Sequence, residues 1–524
     1  MSSLVKSVGT IGGLTMVSRI FGFARDMLLS RILGAGGVAD AWQLAFQLPN
    51  IFRRLFAEGA FAAAFIPLFN QRMTKDGDQG EARAFAEAVL AVLIPVLIVF
   101  SALLLIIMPW VMGLFASDAL RADGATFDLA VLMARIAFPY LAFMSAATLF
   151  AAILNSLSRF AAAAAAPILL NVCMIVALVY GAAQTDSPEV RQQTGMLLAI
   201  AVTVSGLLQM LWLGWWAHRH GFRVRLHRPR LTPGVRELGV LILPAVLGAG
   251  VYQISRFIDL FFLSTLPDGA YTFLAMGDRL NQLPLGIIGI ALGTAILPSL
   301  SRHIAQEDAD GAFRLQSNAV ELALLLTVPA AVALYIAGSA FTQAFYTGGA
   351  YTRADSLMTG AVVSALVLGL PAYVLIKVLV PNYFARKDTR TPVYTAGGSL
   401  LINVALNLLL VPRLGVIGLA LAGSAAAWCN VIALYTILAR RGHYHLTRLV
   451  LSRIVRIALA AAFMGGVLWY AVPYGTDWYA GSVLQRIAAI AALVAVGGVA
   501  FFAAAFALKA IDRRTIDQLR RRPA

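Results

Sequence analysis

The sequence predicts an all-α integral membrane protein with about fourteen transmembrane helices. Hydrophobic residues make up 60% of the 524 residues and charged residues only 13%, whereas a soluble domain carries roughly 25% charged residues. A water-soluble chain has too small an interior to bury this much apolar surface, so lipid must surround most of it. The mean hydropathy of +0.81 agrees with this fold class.

Apolar runs follow one another along the whole chain, and each is close to the roughly 20 residues that a spanning helix needs. The longest polar connection, from His218 to Arg236, is too short for a soluble domain. Prolines such as Pro371 interrupt several runs and are expected to bend their helices. The predicted spans are 8–32, 40–69, 85–114, 127–154, 161–182, 194–217, 237–265, 271–300, 314–341, 356–384, 392–411, 416–439, 450–472 and 484–508.

Basic residues alternate between the loops that these spans define. The loops on the side of the N-terminus hold about 27 Lys and Arg residues, and those on the opposite side about 4. Because short cytoplasmic loops are enriched in Lys and Arg, both termini are predicted to be cytoplasmic. The formal net charge of +16 is explained by these loops, so we do not expect a nucleic acid partner.

A weak internal repeat relates the two halves of the chain at an offset of about 232–237 residues, or six helices. Ser18-Arg19 corresponds to Ser255-Arg256, and Leu170-Asn171-Val172 corresponds to Ile402-Asn403-Val404. Two parallel repeats with a substrate site at their interface are a known transporter plan. The predicted organisation is an N-terminal lobe at 1–217, a basic cytoplasmic loop at 218–236, a C-terminal lobe at 237–440, and two further helices with a basic tail at 441–524.

Several apolar runs contain charged residues, each of which costs roughly 2.5–3.5 kcal/mol at the bilayer centre on insertion scales. Such residues are expected to face a watery cavity or one another. Arginine is in excess among them, and guanidinium groups bind phosphate through paired, charge-assisted hydrogen bonds. We therefore predict a cavity that binds an anion, with substrate-binding residues Arg19, Arg25, Asp40, Arg53, Arg54, Glu58, Asp278 and Arg279.

Ion pairing within the protein is the competing interpretation of these charges. Glu58 follows Arg54 by one helical turn and is placed to neutralise it. Arg31 lies near the end of its run and is expected to extend to the membrane surface. For Arg135 and Arg486 we favour a structural role, in which they pack against neighbouring groups.

A further polar group combines Asp259 with Asn403 and Asn407, which share one helix face. Their oxygen atoms are suitable ligands for a sodium ion, and hydrogen bonding between helices is the alternative. No other cofactor is expected. The sequence has no P-loop, no His-Glu-x-x-His pair and no nucleophile elbow, so we do not expect an enzyme.

Three segments combine charged residues with glycine, proline or aromatic residues in a distinctive order. The first is Ser18-Arg19-Ile20-Phe21-Gly22-Phe23-Ala24-Arg25-Asp26, the second combines Leu48-Pro49-Asn50 with Arg53-Arg54 and Phe56-Ala57-Glu58-Gly59, and the third begins at Asp278-Arg279-Leu280. In these segments the sequence resembles the MurJ (MviN) lipid II flippases. The match is most specific in these segments and extends over nearly the whole chain.

The resemblance implies the fold of the multidrug/oligosaccharidyl-lipid/polysaccharide (MOP) exporter superfamily, with two six-helix lobes and two C-terminal helices. It implies that the arginines bind the pyrophosphate of lipid II, the undecaprenyl-pyrophosphate-linked disaccharide-pentapeptide, and that alternating access moves this lipid to the outer leaflet of the bacterial inner membrane. The protein is expected to act as a monomer among membrane lipids, driven by sodium or by the membrane potential.

Two other functions remain open at this point. One is export of another polyprenyl-linked glycan or of drugs, although a drug antiporter should have a predominantly acidic cavity. The other is a membrane-embedded glycosyltransferase, which would need acidic residues on sizeable extracytoplasmic loops, and the loops here are short.

Overall fold

The computed structural model describes residues 2–54, 61–75, 79–222, 225 and 227–511. The regular secondary structure of these residues is helical. The chain divides into two compact units. The first comprises Met1–Thr272 with Gly349–Tyr351, and the second comprises Phe273–Gly348 with Thr352–Ala524.

The first unit contains ten helices among its described residues. They are α1 Ser2–Leu33, α2 Gly37–Arg53, α3 Ala62–Lys75, α4 Gln79–Phe115, α5 Asp118–Ala122, α6 Gly124–Ala137, α7 Tyr140–Ser156, α8 Phe160–Ala182, α9 Pro188–Arg219 and α10 Pro233–Leu263. Helix α8 packs against both α1 and α9, and α7 packs against α9 and α4. Stacked rings of Phe65, Phe69 and Phe85 form part of the buried core between α3 and α4.

The second unit begins within α11. Its helices are α11 Ala270–Ala305, α12 Ala309–Tyr346, α13 Arg353–Val367, α14 Leu370–Ala385, α15 Arg390–Arg440, α16 Arg448–Ala471, α17 Thr476–Tyr479 and α18 Val483–Ala507. Helix α16 packs between α12 and α18. An ion pair of 2.8 Å between Arg453 and Glu321 joins α16 to α12. Gly465 permits their close approach, since a Cβ atom there would lie 2.8 Å from Cγ1 of Val332.

The all-helical membrane fold predicted from the apolar runs is confirmed. Nine of the described helical segments are long and apolar enough to cross a membrane, and one of them, Arg390–Arg440, covers two predicted runs. Gly415 interrupts the helical backbone of that segment, with φ 57° and ψ −137°, between the runs 392–411 and 416–439. The predicted runs 8–32, 40–69, 237–265 and 271–300 fall on helices outside those nine, namely α1, α2 with α3, α10 and α11, so the number fourteen stays a prediction.

Among the described residues, a short break separates two consecutive helices at corresponding places in the two units. The break between α6 and α7 contains Pro139, and the break between α13 and α14 contains Gly369. A hydroxyl group from a neighbouring helix donates to a carbonyl just before each break: Thr203 to Ile136, and Ser424 to Ala365 at 2.8 Å. The shared arrangement agrees with the predicted repeat, although the lobe boundaries at 217 and 237 stay a prediction.

The turns that follow these interrupted helices also correspond. Ser158 after α7 and Lys387 after α14 both adopt left-handed backbone conformations, with φ of 58° and 62°. Each lies in a turn closed by a hydrogen bond to an earlier carbonyl, from Arg159 to Leu154 at 2.8 Å in the first case. This C-terminal capping geometry satisfies carbonyl groups at the helix ends.

Candidate functional site

Arg25 is the centre of a buried polar cluster in the first unit. Its side chain points into the protein, since the residue is only 5% exposed and the adjacent Asp26 only 4%. Nη2 and Nε of Arg25 lie 2.7 and 3.0 Å from Oδ1 of Asp26. A guanidinium group buried in this way is held by charge-assisted hydrogen bonds, so the charge predicted within the first run is retained inside the helix bundle.

Asn171 of α8 fixes this cluster from the opposite helix. Its Oδ1 accepts a hydrogen bond of 3.0 Å from Nη1 of Arg25, and its Nδ2 donates at 3.0 Å to the carbonyl of Ser18. Gly22 faces the same amide, because a Cβ atom at this glycine would lie 3.6 Å from Asn171. Sequence reasoning used Asn171 only as a marker of the repeat. The feature of the sequence that could have identified this residue is a lone amide side chain within an apolar run.

The other predicted arginines of the first unit are less buried. Arg19 is half-buried on α1, one turn before Gly22. Arg53 is also half-buried, and its Nε donates at 3.2 Å to Oδ1 of Asn50, whereas Arg54 is exposed at the C-terminal end of α2. Glu58, the predicted partner of Arg54, lies outside the described residues, so the proposed neutralisation stays a prediction.

Asp40 has a role that was not predicted from the sequence. The residue is 1% exposed, and its carboxylate accepts hydrogen bonds from the backbone N–H groups of Gly269 at 2.6 Å and Thr272 at 3.0 Å. The Thr272 hydroxyl donates to it as well, at 2.7 Å. Because Thr272 lies in the first turn of α11, Asp40 caps that helix from a different part of the chain. Its role in substrate binding stays a prediction.

The second unit carries Asp278 and Arg279 in the N-terminal half of α11. Both residues are half-buried, and Oδ2 of Asp278 accepts a hydrogen bond of 2.6 Å from Gln282. Lys377 of α14 lies against the same helix, since a Cβ atom at Gly289 would be 3.2 Å from its Nζ. The predicted Arg279 and the further cation Lys377 therefore lie on two helices, α11 and α14.

Arg135 and Arg486 make structural contacts, as predicted. Nε of Arg135 donates at 3.0 Å to the carbonyl of Leu105. Proline at position 109 has no N–H group to bond that carbonyl within α4, so Arg135 replaces the missing donor. Nη1 of Arg486 donates at 2.6 Å to the carbonyl of Thr347, just beyond the end of α12.

The predicted sodium ligands are divided between the units. Asp259 lies in the first unit, where Oδ2 is 4.0 Å from Nη1 of Arg256. Asn403 and Asn407 are buried on one face of α15, and Nδ2 of Asn407 donates at 3.0 Å to Oδ1 of Asn403. Oδ1 of Asn407 is buried and has no hydrogen-bond donor among the described residues. The ion site stays a prediction.

Positive charge is in excess in the part of the chain that forms α1 and α2. Residues 10–54 contain five arginines and two aspartates. One of those carboxylates, that of Asp40, is directed at the backbone of α11. Guanidinium groups in a low-dielectric environment attract anions more strongly than they would in water.

Comparison with known proteins identifies the family. The family described as "Lipid II flippase MurJ" matches residues 29–489. A probable lipid II flippase MurJ of Rhizobium meliloti (strain 1021) is 40% identical over 513 residues, which cover 97% of this chain and 94% of that protein. The lipid II flippase MurJ of Burkholderia cenocepacia is 33% identical, with 95% of this chain and 96% of that protein covered.

Solved structures share the fold. The structure described as lipid II flippase MurJ in an inward closed conformation superposes with a TM-score of 0.77 at 22% identity, covering 94% of this chain and 97% of that one. An inward-facing multidrug resistance MATE family transporter of the MOP superfamily gives a TM-score of 0.64 at 14% identity, covering 82% and 97%. The chain therefore belongs to the lipid II flippase MurJ family.

Proposed function

We propose that this protein moves lipid II from the cytoplasmic to the outer leaflet of the bacterial inner membrane. The observation that carries the proposal is the family membership of the full-length chain, combined with the buried guanidinium of Arg25 and its support by Asn171. A transporter of a lipid pyrophosphate needs cationic groups within the membrane that are held in place before the substrate arrives.

The arginines are proposed to bind the pyrophosphate. Arg25 is supported by Asp26 and Asn171, so its guanidinium is oriented without any substrate. The less buried Arg19 and Arg279 are suited to contact an incoming phosphate group, because Arg binds phosphate through two parallel hydrogen bonds. Binding of this kind holds the head group while the polyprenyl chain stays in lipid.

Movement of the head group is proposed to follow from alternating access, in which the cavity opens first to one membrane face and then to the other. The breaks at Pro139 and Gly369 interrupt long helices in corresponding places and are candidate bending points. Sodium or the membrane potential, worth about 2.3 kcal/mol per charge per 100 mV, is proposed to drive the cycle.

The sodium proposal rests on the amide pair of α15. Oδ1 of Asn407 is a buried oxygen that lacks a donor among the described residues, and a hard cation takes oxygen ligands. Asp259 is the proposed acidic ligand. If sodium binds there, it should raise the unfolding temperature of the protein above that in equimolar potassium, and Asn407→Leu should remove the difference.

The protein is proposed to be a monomer with both termini in the cytoplasm, because of the excess of Lys and Arg in the loops on that side. The alternative of a drug or other glycan exporter is not favoured, since the curated relatives that match the whole length of the chain carry the lipid II flippase name.

Complementation tests the function. The gene is expressed in bacteria in which the resident lipid II flippase is depleted, and growth and cell shape are scored. We expect wild-type protein to sustain growth, and a matched chain with Arg25→Ala to fail at equal membrane abundance. Failure of the wild-type protein to sustain growth, at an abundance equal to that of the resident flippase, would contradict the proposal.

A further inference from the structure

An apolar groove lies on the surface of the first unit between α8 and α9. It is lined by Leu169, Leu208, Leu211, Trp212 and Trp215 and has a volume of about 360 Å³. Leu208, Leu211 and Trp215 are between 41% and 55% exposed, so the groove is open at the surface of the bundle. The indole N–H of Trp212 donates at 3.1 Å to the carbonyl of Ala162, which fixes one wall to α8.

The groove extends along about 10 Å of α9, from Leu208 to Trp215. At about 1.5 Å per residue, Trp215 lies about 6 Å and Leu208 about 16 Å from the end of α9 at Arg219. Half of the hydrocarbon core of a bilayer is about 15 Å thick. The groove is shorter than this half-thickness, so an acyl chain that lies in it fits within one leaflet.

Basic and aromatic side chains surround the mouth of the groove. The guanidinium carbon of Arg219 lies 5.3 Å from the ring centroid of Trp215 and 6.0 Å from that of Trp216. His220 stacks on Trp216 with ring centroids 5.4 Å apart. Tryptophan is enriched at the level of lipid head groups, and Arg at that level contacts anionic head groups.

The sequence on both sides of the groove is free of acidic residues. Neither 157–169 nor 208–222 contains Asp or Glu, whereas they contain Arg159, His218, Arg219 and His220. Trp212 contacts Ala162 near the start of α8, and Thr194 contacts Gly181 near its end, so the two helices run antiparallel and Arg159 and Arg219 lie at the same end. A head group at this end meets only positive or neutral side chains from the two segments.

We propose that this groove binds an anionic phospholipid of the cytoplasmic leaflet, with one acyl chain along Leu211 and Trp215 and the phosphate beside Arg219. The assignment to the cytoplasmic leaflet rests on the proposed orientation of the chain. The apolar lining accounts for the acyl chain, and the one-sided charge at the mouth selects an anionic head group over a zwitterionic one. This site is separate from the Arg25 cluster and does not depend on the transported substrate.

Native mass spectrometry of the full-length protein tests the proposal. The protein is exchanged into micelles that contain equal amounts of phosphatidylglycerol and phosphatidylcholine with the same acyl chains, and the retained lipids are counted. We expect wild-type protein to retain phosphatidylglycerol preferentially. Arg219→Gln should lower that preference about fivefold, the effect of one basic residue near an anionic lipid. Leu211→Trp should remove the retained lipid by filling the groove.

Two variants provide matched controls. Arg230→Gln removes one exposed positive charge from the adjoining loop, and Ile200→Trp adds the same ring to an exposed position of α9 nearer its other end. Both should retain the wild-type preference. An unchanged preference in both Arg219→Gln and Leu211→Trp would overturn the proposal. Retention of undecaprenyl phosphate in place of phosphatidylglycerol from an equimolar mixture would also overturn it, in favour of a polyprenyl occupant.

Discussion

Replacing Asp40 with alanine is expected to destabilise the protein by removing the cap of α11. The carboxylate accepts hydrogen bonds from two buried backbone N–H groups, those of Gly269 and Thr272, and from the Thr272 hydroxyl. The hydroxyl can rotate to another acceptor, whereas the two N–H groups are fixed by the backbone. The substitution therefore leaves two buried donors without an acceptor.

Each buried polar group that loses its partner costs about 1–3 kcal/mol, so the free energy of unfolding should fall by about 2–6 kcal/mol in Asp40→Ala. Asp40→Asn should have roughly half this effect, because one amide oxygen still accepts while the NH₂ group opposes the other N–H. The control is Asp118→Ala, which removes an ion pair between Asp118 and Arg121. The side chain of Asp118 is 92% exposed. Such a pair is worth at most about 1 kcal/mol.

Reversible unfolding in mixed micelles measures these differences, and lipid II binding is then determined on the folded fraction. The sequence alone predicted Asp40 as a substrate-binding residue, so the two measurements separate the two roles. If Asp40→Ala unfolds like wild type but binds lipid II weakly, the capping role is wrong. If unfolding is easier and the folded fraction binds normally, capping accounts for the residue.

Three further substitutions test other contacts. Asn171→Leu removes a hydrogen bond to the charged Arg25, and such a bond is worth about 1.5–3 kcal/mol. Lipid II binding, measured by calorimetry, should therefore weaken roughly 10- to 150-fold. Unchanged affinity would show that this amide does not position the guanidinium. Arg135→Leu should lower the free energy of unfolding by about 1–3 kcal/mol. In a protein that already carries Pro109→Ala, which restores the backbone donor, the same substitution should have little effect. An equal loss of unfolding free energy with Pro109 and with Ala at that position would contradict this explanation. The pKa of Asp388 is lowered by a neighbouring hydroxyl, a backbone N–H group and a guanidinium, so the stability that it contributes is present above about pH 4 and is lost as the pH falls below that value. The free energy of unfolding of Asp388→Asn should consequently vary less with pH than that of wild type. The comparison is made between pH 5 and pH 3, which lie roughly one unit either side of the ordinary pKa of aspartate.

Features that depend on local composition could be predicted from the sequence. Apolar runs mark the helices because a spanning helix must be apolar over most of its length. The break at Gly415 falls between two predicted runs, and the structural roles of Arg135 and Arg486 were expected. These properties depend on segments read one at a time, for which length and charge are sufficient.

Features that depend on contacts between distant segments could not be predicted in this way. Asp40 and Thr272 meet because two helix ends lie close together, and no spacing in the sequence indicates that. Asn171 binds Arg25 because α8 packs on α1 at Gly22. In both cases the sequence identified an unusual polar residue in an apolar run, but its partner became evident only from the packing.

Transport of fluorescent lipid II by the reconstituted protein tests the central claim, that arginines within the membrane bind the head group. Proteoliposomes contain wild-type protein, or the variants Arg19→Ala, Arg25→Ala or Arg279→Ala, with Arg230→Ala as a control for loss of charge outside the helices. We expect the three intramembrane variants to lose at least roughly 90% of the transport rate, equivalent to about 1.4 kcal/mol, while the control retains it. Wild-type rates in all three intramembrane variants would contradict the account.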